Sequence, residues 1–292
     1  MSDVATRDEL ALAREAALDA GRIARARFGR AQEVTHKSPD QPVTPADLAA
    51  DDAIRHVIAA SRPDDGWLSE ETADGPDRLQ RRRVWIVDPI DGTRSFIAGI
   101  PEFTVCVALA VDGVATVGVV FNPITGELFA ASRGEGAWLE SVGGPRDVVT
   151  RRLAVSGDVA RRADRRLVLL ASRTELAAGE FEAFTDCALE PAGSTANKLV
   201  GVAAGRADAY LSRGPKSEWD VCAGTLLVEE AGGRVTDLRG EALTFNRADP
   251  SVHGILAANR EAHETLLERV RRLPDSARLR RAGGRQRTGE ET

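Results

Sequence analysis

Hydrophobic residues recur at helical spacing near the start of the chain. Between residues 6 and 29 the apolar side chains fall on one helical face and Gly29 ends the run, which predicts a first helix. Thr44 as N-cap and Pro45 as first helical residue predict a second helix that runs to about Ser61. The polar residues 30–44 between them are predicted to form a loop.

A different pattern, alternation of apolar and polar positions, extends from residue 103 to 138. Turn sequences at Asp112-Gly113 and from Asn122 to Gly126 divide it into successive strands, which predicts an antiparallel meander. Just before it, an apolar strand from Val84 is predicted to stop at Asp88. The reason is that Pro89 cannot donate a ladder hydrogen bond.

Beyond residue 148, predicted strands alternate with predicted helices, which is the pattern of an α/β unit. The strands are 166–171, 189–190, 207–211, 234–237 and 254–257, and the helices are 175–187, 195–204, 221–230 and 260–272. Residues 141–148 have linker composition, so we predict one unit over 1–147 and another over 148–272. The Arg- and Gly-rich tail, 273–292, is predicted to be disordered.

Composition narrows the class of protein without naming a function. The 292 residues are 42% hydrophobic and 29% charged with a net charge of −6, as in ordinary soluble domains. No large basic face is evident, which argues against polymeric nucleic acid as a partner. No apolar stretch is long enough to cross a bilayer, so we expect no membrane partner. The three cysteines are widely spaced and predict a reducing cytoplasm rather than a zinc or redox site.

Four acidic residues each sit where an element ends or begins: Glu70, Asp88, Asp91 and Asp220. We predict that Asp220 is the N-cap of the helix at 221–230. Any one of these acids is more commonly a turn residue, a helix cap or a surface charge. As a converging set they would repel one another unless cations neutralised them, and oxygen ligands without His or Cys favour Mg²⁺.

The surrounding motifs resemble the inositol monophosphatase superfamily of magnesium-dependent, lithium-sensitive phosphomonoesterases. The similarity rests on Ser69-Glu70-Glu71, on the block Trp85 to Thr93 with its Asp-Pro-Ile-Asp-Gly-Thr core, and on Trp219-Asp220 followed by Gly232-Gly233. It covers about residues 6–270 in the expected order. The resemblance implies a layered αβαβα sandwich, an antiparallel-sheet N-terminal subdomain followed by an α/β C-terminal subdomain, with the site in the cleft between them.

The resemblance also implies a role for each site residue. Two Mg²⁺ ions, with a weaker third near Glu70, would be held by Glu70, Asp88, the Ile90 carbonyl, Asp91 and Asp220. Thr93 paired with Asp47 would orient and deprotonate the attacking water. The N–H groups of Gly92 and Thr93 would cradle the phosphate.

The substrate is predicted to be 3'-phosphoadenosine 5'-phosphate, because the segments 193–198 and 214–220 resemble the 3'(2'),5'-bisphosphate nucleotidase branch. The candidate substrate contacts are Lys198, Arg173, Glu218, Gly193 and Ser194. A cationic side chain suits a second phosphate; the alternative is that Lys198 and Lys216 are solvated surface charges, an interpretation that is nearly as strong for Lys216. The stretch 202–210 fits inositol-1-phosphate phosphatases as well, so that substrate stays open. A homodimer accords with the resemblance, but the sequence carries no interface signature.

Two other classes compete with this interpretation. Haloacid-dehalogenase-like phosphatases use a D-x-D-x-T strand end, whereas the spacing here is D-x-x-D-G-T. A non-catalytic sensor of metal or sugar phosphate would have no need of the Thr93 and Asp47 pair. We therefore expect Asp91→Asn and Asp220→Asn each to lower turnover by orders of magnitude while the chain stays folded.

Overall fold

Two stacked β-sheets carry the fold in a computed structural model of the protein, which describes residues 2–38, 41–143, 150–157 and 166–273. The described helices are α1 (Ser2–Arg27), α2 (Pro45–Ser61), α3 (Thr93–Ile97), α4 (Arg173–Ala177), α5 (Thr195–Ala203), α6 (Glu218–Glu230) and α7 (Arg260–Arg272). A short 3₁₀ helix spans Pro76–Gln80.

The described strands fall into the two large sheets and one small hairpin. They are β1 (Thr35–Ser38), β2 (Gln41–Val43), β3 (Gly66–Ser69), β4 (Arg83–Asp91), β5 (Thr104–Val111), β6 (Val114–Asn122), β7 (Glu127–Ser132), β8 (Gly136–Ser141), β9 (Thr150–Arg152), β10 (Val168–Ala171), β11 (Ala188–Pro191), β12 (Ala209–Ser217), β13 (Arg234–Thr236) and β14 (Ser251–Ala258).

The larger sheet has seven strands in simple sequence order, from β3 to β9. Strands β3 and β4 pair in parallel, and every later neighbour pairs antiparallel. The predicted meander is thus confirmed, and β8 and β9 extend it. The second sheet has the order β11-β10-β12-β14-β13, with parallel pairing around β10 and antiparallel pairing around β14.

Helices cover the sheets in alternating layers. Helices α1 and α2 pack on the outer face of the larger sheet, α5 and α6 lie between the two sheets, and α7 packs on the outer face of the smaller one. Because α6 is enclosed by both sheets, it is apolar around most of its circumference. A Cβ on Gly118 of β6 would lie 2.9 Å from the carbonyl oxygen of Ala223, so glycine there permits this close approach. The αβαβα arrangement predicted by resemblance is confirmed.

Several boundaries differ from those predicted. Strand β4 continues through Pro89 to Asp91, because the pairing with β5 is irregular between Asp88 and Asp91 and leaves proline no ladder bond to make. Residues 30–44 are not all loop, since β1 and β2 form a hairpin there. The helix predicted at 175–187 is only the short α4, followed by turns.

The predicted division at 147/148 and most of the predicted tail lie outside the described residues. What the structure does show is that the two halves share one core: residues of β4 to β8 pack with α5, α6 and β12. No helix in the described ranges is both long and apolar enough to span a membrane.

Candidate active site

The end of β4 supplies the central carboxylates of the site. Asp88 is buried, and its Oδ1 accepts a hydrogen bond from the Ile90 N–H at 3.0 Å. Its other oxygen, Oδ2, is buried without a hydrogen-bond partner among the described residues. A buried carboxylate oxygen in this state is costly unless something else, such as a cation, satisfies it.

Glu70, Asp88 and Asp220 meet at one point although they come from three distant segments. One carboxylate oxygen of each lies within 4.8 Å of the others. Glu70 follows β3, Asp88 lies in β4, and Asp220 is on the first turn of α6. Three hard oxygen donors at this separation can hold a divalent cation, and the unpartnered Asp88 oxygen fits the same purpose.

The mutual repulsion of these acids is visible in their protonation. Burial, followed by the charge of Asp220, raises the pKa of Glu70 to about 8. Burial and the charge of Asp91 raise the pKa of Asp220 to about 7. Burial, with Glu70 next, holds the pKa of Asp88 well above its ordinary value. Without a cation this cluster therefore retains protons near neutral pH.

Asp47 and Thr93 form a hydrogen-bonded pair next to the carboxylates. Thr93 Oγ1 lies 3.1 Å from Asp47 Oδ1 and 3.1 Å from the Ile90 carbonyl oxygen. The other Asp47 oxygen accepts the N–H and the hydroxyl of Thr44, at 2.8 and 2.6 Å, in the capping box of α2. Burial raises the pKa of Asp47 above its ordinary value. The carboxylate is thus fixed in orientation with one oxygen aimed at Thr93.

Asp91 is supported from the second half of the chain. Its Oδ2 accepts the Ser194 hydroxyl at 2.5 Å and the Ala196 N–H at 2.6 Å, and its Oδ1 lies 3.2 Å from the Thr195 N–H. These N–H groups belong to the first turn of α5, which would otherwise lack acceptors for them. Asp91 therefore joins the two halves of the molecule at the site.

A cavity of about 560 Å³ opens onto these side chains. Gly92, at its wall, has φ 101° and is the N-cap of α3. A Cβ there would lie 2.9 Å from the Glu102 carbonyl oxygen, so only glycine fits both the backbone and the space. Gly92 and Thr93 line the cavity, where their predicted role in phosphate binding places them.

Four of the five predicted substrate contacts line the cavity: Lys198, Arg173, Gly193 and Ser194. The ammonium group of Lys198 donates to the carbonyl oxygens of Ala192 and Ser194, and burial lowers its pKa to about 8. Arg173 forms two hydrogen bonds to the Glu102 carboxylate, which also accepts the Gly193 N–H at 2.6 Å.

The structure does not bring Glu218 into the cavity. Its side chain is fully buried and accepts the N–H groups of Asn246 and Arg247 at 2.6 and 2.9 Å. It secures a loop of the second half of the chain.

Asp220 is not the N-cap of its helix, contrary to the prediction. Ser217 is the N-cap, and Asp220 at the third helical position accepts the Ser217 N–H at 2.9 Å.

Three polar residues near the site escaped sequence reasoning. Lys37 of β1 lies 2.7 Å from a Glu71 oxygen and donates to the Glu70 carbonyl oxygen at 2.9 Å. Asp51 of α2 and Glu102 accept hydrogen bonds from residues that flank site residues. Their partners are far away in sequence, so no local motif marks them. For Asp51 the sequence offered one signal, an acid at the spacing of the apolar face of a predicted helix.

Comparison with known proteins identifies the group to which the chain belongs. Residues 6–275 match the inositol monophosphatase family. The chain belongs to that family. It is therefore a phosphoric monoester hydrolase by descent, and both the resemblance and the fold expected from it are confirmed.

Relatives of this family carry several names. An inositol monophosphatase from Mesembryanthemum crystallinum is 35% identical over 272 residues, covering 91% of this chain and 97% of the relative. A histidinol-phosphatase from Chlorobaculum parvum is 35% identical over 268 residues, covering 90% and 96%. Among solved structures, CysQ from Bacteroides thetaiotaomicron, a bacterial member of the family, has a TM-score of 0.71 at 28% identity, covering 87% of this chain and 97% of that one.

Proposed function

We propose that the protein hydrolyses a small phosphate monoester in the presence of Mg²⁺. The observation that carries this proposal is the convergence of Glu70, Asp88 and Asp220 beside a polar cavity, with one Asp88 oxygen left without a partner. The residues that would hold the ions are Glu70, Asp88, Asp91, Asp220 and the Ile90 carbonyl, with two or three ions per site.

Bound Mg²⁺ would neutralise phosphate charge and make a nearby water more acidic. The protein's own groups then orient that water and take its proton. A water that donates to Thr93 Oγ1 can pass a proton through this hydroxyl to Asp47 Oδ1, 3.1 Å away. The raised pKa of Asp47 makes it a better base than an exposed aspartate. The water oxygen forms the new bond to phosphorus as the bond from phosphorus to the ester oxygen breaks, and the departing alkoxide takes a proton from solvent water. No covalent enzyme intermediate is required.

For the substrate, the cavity favours a polyol phosphate such as inositol 1-phosphate. None of the described residues that line it is aromatic, so it offers no ring on which an adenine base would stack. Most of the described residues that line the cavity carry polar or charged side chains. Inositol monophosphatase is also the name of several of the relatives compared.

A bisphosphate nucleotide such as 3'-phosphoadenosine 5'-phosphate is the second candidate. In its favour, the cationic residues Arg173, Lys198 and Lys216 line the same cavity and could face a second phosphate. Against it, the Lys198 ammonium already donates to two carbonyl oxygens.

The free, buried state of all three cysteines supports the proposed cytoplasmic location.

Release of inorganic phosphate tests both candidates directly. Inositol 1-phosphate, 3'-phosphoadenosine 5'-phosphate and histidinol phosphate are compared at equal concentration with Mg²⁺, with EDTA, and with added lithium. We expect Mg²⁺-dependent, lithium-inhibited release, with the highest kcat/KM for inositol 1-phosphate. If the nucleotide exceeds it tenfold, the polyol assignment is wrong; if no ester is hydrolysed with Mg²⁺, the proposed function itself fails.

A further inference from the structure

Asp51 lies one helical turn beyond Asp47 on α2, and its side chain is only 5% exposed. Both of its oxygens accept hydroxyl groups: Oδ1 that of Ser69, and Oδ2 that of Thr72 at 2.7 Å. Among the described residues, these two hydroxyls are the hydrogen-bond donors to its side chain. A buried carboxylate held by two neutral hydroxyls lowers the stability of the folded state. This cost suggests that Asp51 has a role other than stabilising the fold.

The two donors enclose a metal-site segment. Ser69 precedes Glu70 and Thr72 follows Glu71. Ser69 Oγ donates to Asp51 and accepts the Glu71 N–H at 3.3 Å, which stiffens the turn from within. Thr72 Oγ1 also accepts the Trp67 indole N–H at 3.3 Å. The backbone around Glu70 is thus fastened at both ends to one carboxylate.

A second attachment joins the same segment to the strand that carries Asp88. The Glu70 N–H donates to the Val87 carbonyl oxygen at 3.3 Å. Glu70 is therefore tied to β4 through its own backbone and to α2 through Asp51. Helix α2 also carries Asp47, so Asp51 fixes the distance between the proposed water-activating pair and the proposed metal ligand.

From this arrangement we propose that Asp51 is a positioning residue of the metal site, which holds Glu70 in the geometry that binds Mg²⁺. The proposal rests on the proposed function, because it needs Glu70 to be a metal ligand. Residues that orient metal ligands typically change metal affinity by about 10- to 100-fold when removed. Asp51 itself does not reach the cavity and needs no contact with substrate.

The test compares three variants that loosen the attachment with one that does not. Asp51→Asn removes the charge and replaces one of the two acceptor oxygens with an N–H₂ donor, whereas Ser69→Ala and Thr72→Val remove one donor each and leave every charge in place. Asp52→Asn is the matched control, since Asp52 is the exposed neighbour on the same helix. Mg²⁺ binding is measured by calorimetry on the full chain without substrate, and thermal unfolding is measured in EDTA.

We expect Asp51→Asn and Ser69→Ala each to weaken Mg²⁺ binding about tenfold and Thr72→Val to weaken it less, with Asp52→Asn unchanged. The double variant Asp51→Asn/Ser69→Ala should lose less affinity than the sum of the two single losses, because both changes act on the same attachment. Ser69→Ala and Thr72→Val should also lower the unfolding temperature in EDTA, because each leaves the buried carboxylate with one donor fewer, so the decisive measurement is Mg²⁺ affinity.

Three results would overturn the proposal, and they point to different errors. If Ser69→Ala and Asp51→Asn lower the unfolding temperature in EDTA but leave Mg²⁺ affinity intact, Asp51 stabilises the fold and does not position the ligand. If the unaltered chain binds no Mg²⁺, the proposed metal site is wrong and the positioning role falls with it. A loss of affinity in Asp51→Asn alone, with Ser69→Ala unchanged, would show a charge effect without positioning.

Discussion

The two sides of the cavity treat their polar groups in opposite ways. On the side formed by Glu70, Asp88 and Asp220, acids crowd together and one Asp88 oxygen has no hydrogen-bond partner. On the side formed by the start of α5, Asp91 accepts three hydrogen bonds from Ser194, Thr195 and Ala196. The first side, called the acidic side below, has a carboxylate oxygen that a cation could satisfy. On the second, the scaffold side, the carboxylate oxygens of Asp91 already have hydrogen-bond donors.

The contrast indicates that the acidic side gains most from bound cations, whereas hydrogen bonds on the scaffold side fix the orientation of Asp91. Unsatisfied acids raise one another's pKa and gain most from a divalent ion. An acid that already accepts hydrogen bonds, such as Asp91, is held in a fixed orientation before any cation binds. Asp88 and Asp91 are three residues apart in β4, so the difference comes from what the rest of the fold brings to each.

The sharpest test of the comparison pairs Asp88→Asn with Asp91→Asn. Both should lower kcat by roughly 10³-fold, because loss of a metal ligand forfeits several kcal/mol of charge stabilisation. Their stabilities should diverge. Asp88→Asn replaces a buried carboxyl group of which one oxygen has no hydrogen-bond partner, so its unfolding temperature in EDTA should stay level or rise. Asp91→Asn turns an amide N–H₂ toward N–H donors, which costs about 1–3 kcal/mol.

Phosphate-release kinetics and thermal unfolding measure the two effects, with Asp52→Asn as the exposed control. The chain should remain folded in both variants. Equal unfolding temperatures for Asp88→Asn and Asp91→Asn would contradict the division of the site into an unsatisfied and a satisfied side. Near-full activity in either variant would contradict the assignment of that residue as a ligand.

The acidic side should also give the metal-free protein an unusual dependence on pH. The pKa values of Glu70, about 8, and Asp220, about 7, are raised above their ordinary 4.5 and 3.8. Between about pH 4 and pH 8 the folded state therefore holds protons that the unfolded chain has released. Stability in EDTA should fall as pH rises through this range, and unfolding temperature at pH 5 should exceed that at pH 8 by several degrees.

Saturating Mg²⁺ should flatten that slope, because a cation replaces the retained protons. Thermal unfolding at pH 5, 6, 7 and 8, with EDTA or with Mg²⁺, makes the comparison. A stability that rises with pH in EDTA would show that the acids ionise without cost in the folded state. That outcome would remove the electrostatic argument for a cation at this side of the cavity.

Sequence reasoning located the acidic side better than the scaffold side. The spacing from Asp88 to Thr93 is local, so the strand end, the turn at Gly92 and the short helix follow from adjacent residues. Thr44 and Pro45 likewise predicted the start of α2. The position of Asp220 was predicted within three residues, because a capping box places an acid inside the helix rather than at its N-cap.

What the sequence did not reveal depends on contacts between distant segments. Asp91 with Ser194 and Glu102 with Arg173 are pairs separated by 103 and 71 residues, and no single motif contains both members of either pair. Asp47 was identified only by resemblance, since an acid in the first helical turn is ordinarily explained by the helix dipole. Glu218 was predicted as a substrate contact because the segment 214–220 resembles the bisphosphate nucleotidase branch, yet helix residues two apart, such as Glu218 and Asp220, do not face the same way.

On the scaffold side, Ser194 offers a smaller and more specific test. Its hydroxyl donates to Asp91, and its backbone has φ 58° and ψ 134°, which is unfavourable for a residue with a Cβ. Ser194→Ala removes the hydrogen bond and keeps the strain, while Ser194→Gly removes both. We expect kcat/KM to fall about tenfold in each, but unfolding temperature to fall less in Ser194→Gly.

If the two variants lose activity unequally, backbone strain rather than the hydroxyl controls Asp91. If neither loses activity, the hydrogen bonds from Thr195 and Ala196 suffice to orient the carboxylate. Phosphate release and thermal unfolding on the same preparations distinguish these outcomes.

The smallest expected effect concerns Lys216, on the rim between the two sides. It lines the cavity with its ammonium 3.9 Å from a Glu175 oxygen, and part of the side chain is exposed. A partly solvated charge contributes up to about 1 kcal/mol to binding a second phosphate, or roughly fivefold. Lys216→Met should therefore raise KM two- to fivefold for 3'-phosphoadenosine 5'-phosphate and leave KM for inositol 1-phosphate unchanged, because that ester carries only the phosphate held at the metal side. Equal changes for both esters would show that Lys216 acts on the reacting phosphate. Lys216 would then belong with the acidic side of the cavity and would not select between the two substrates.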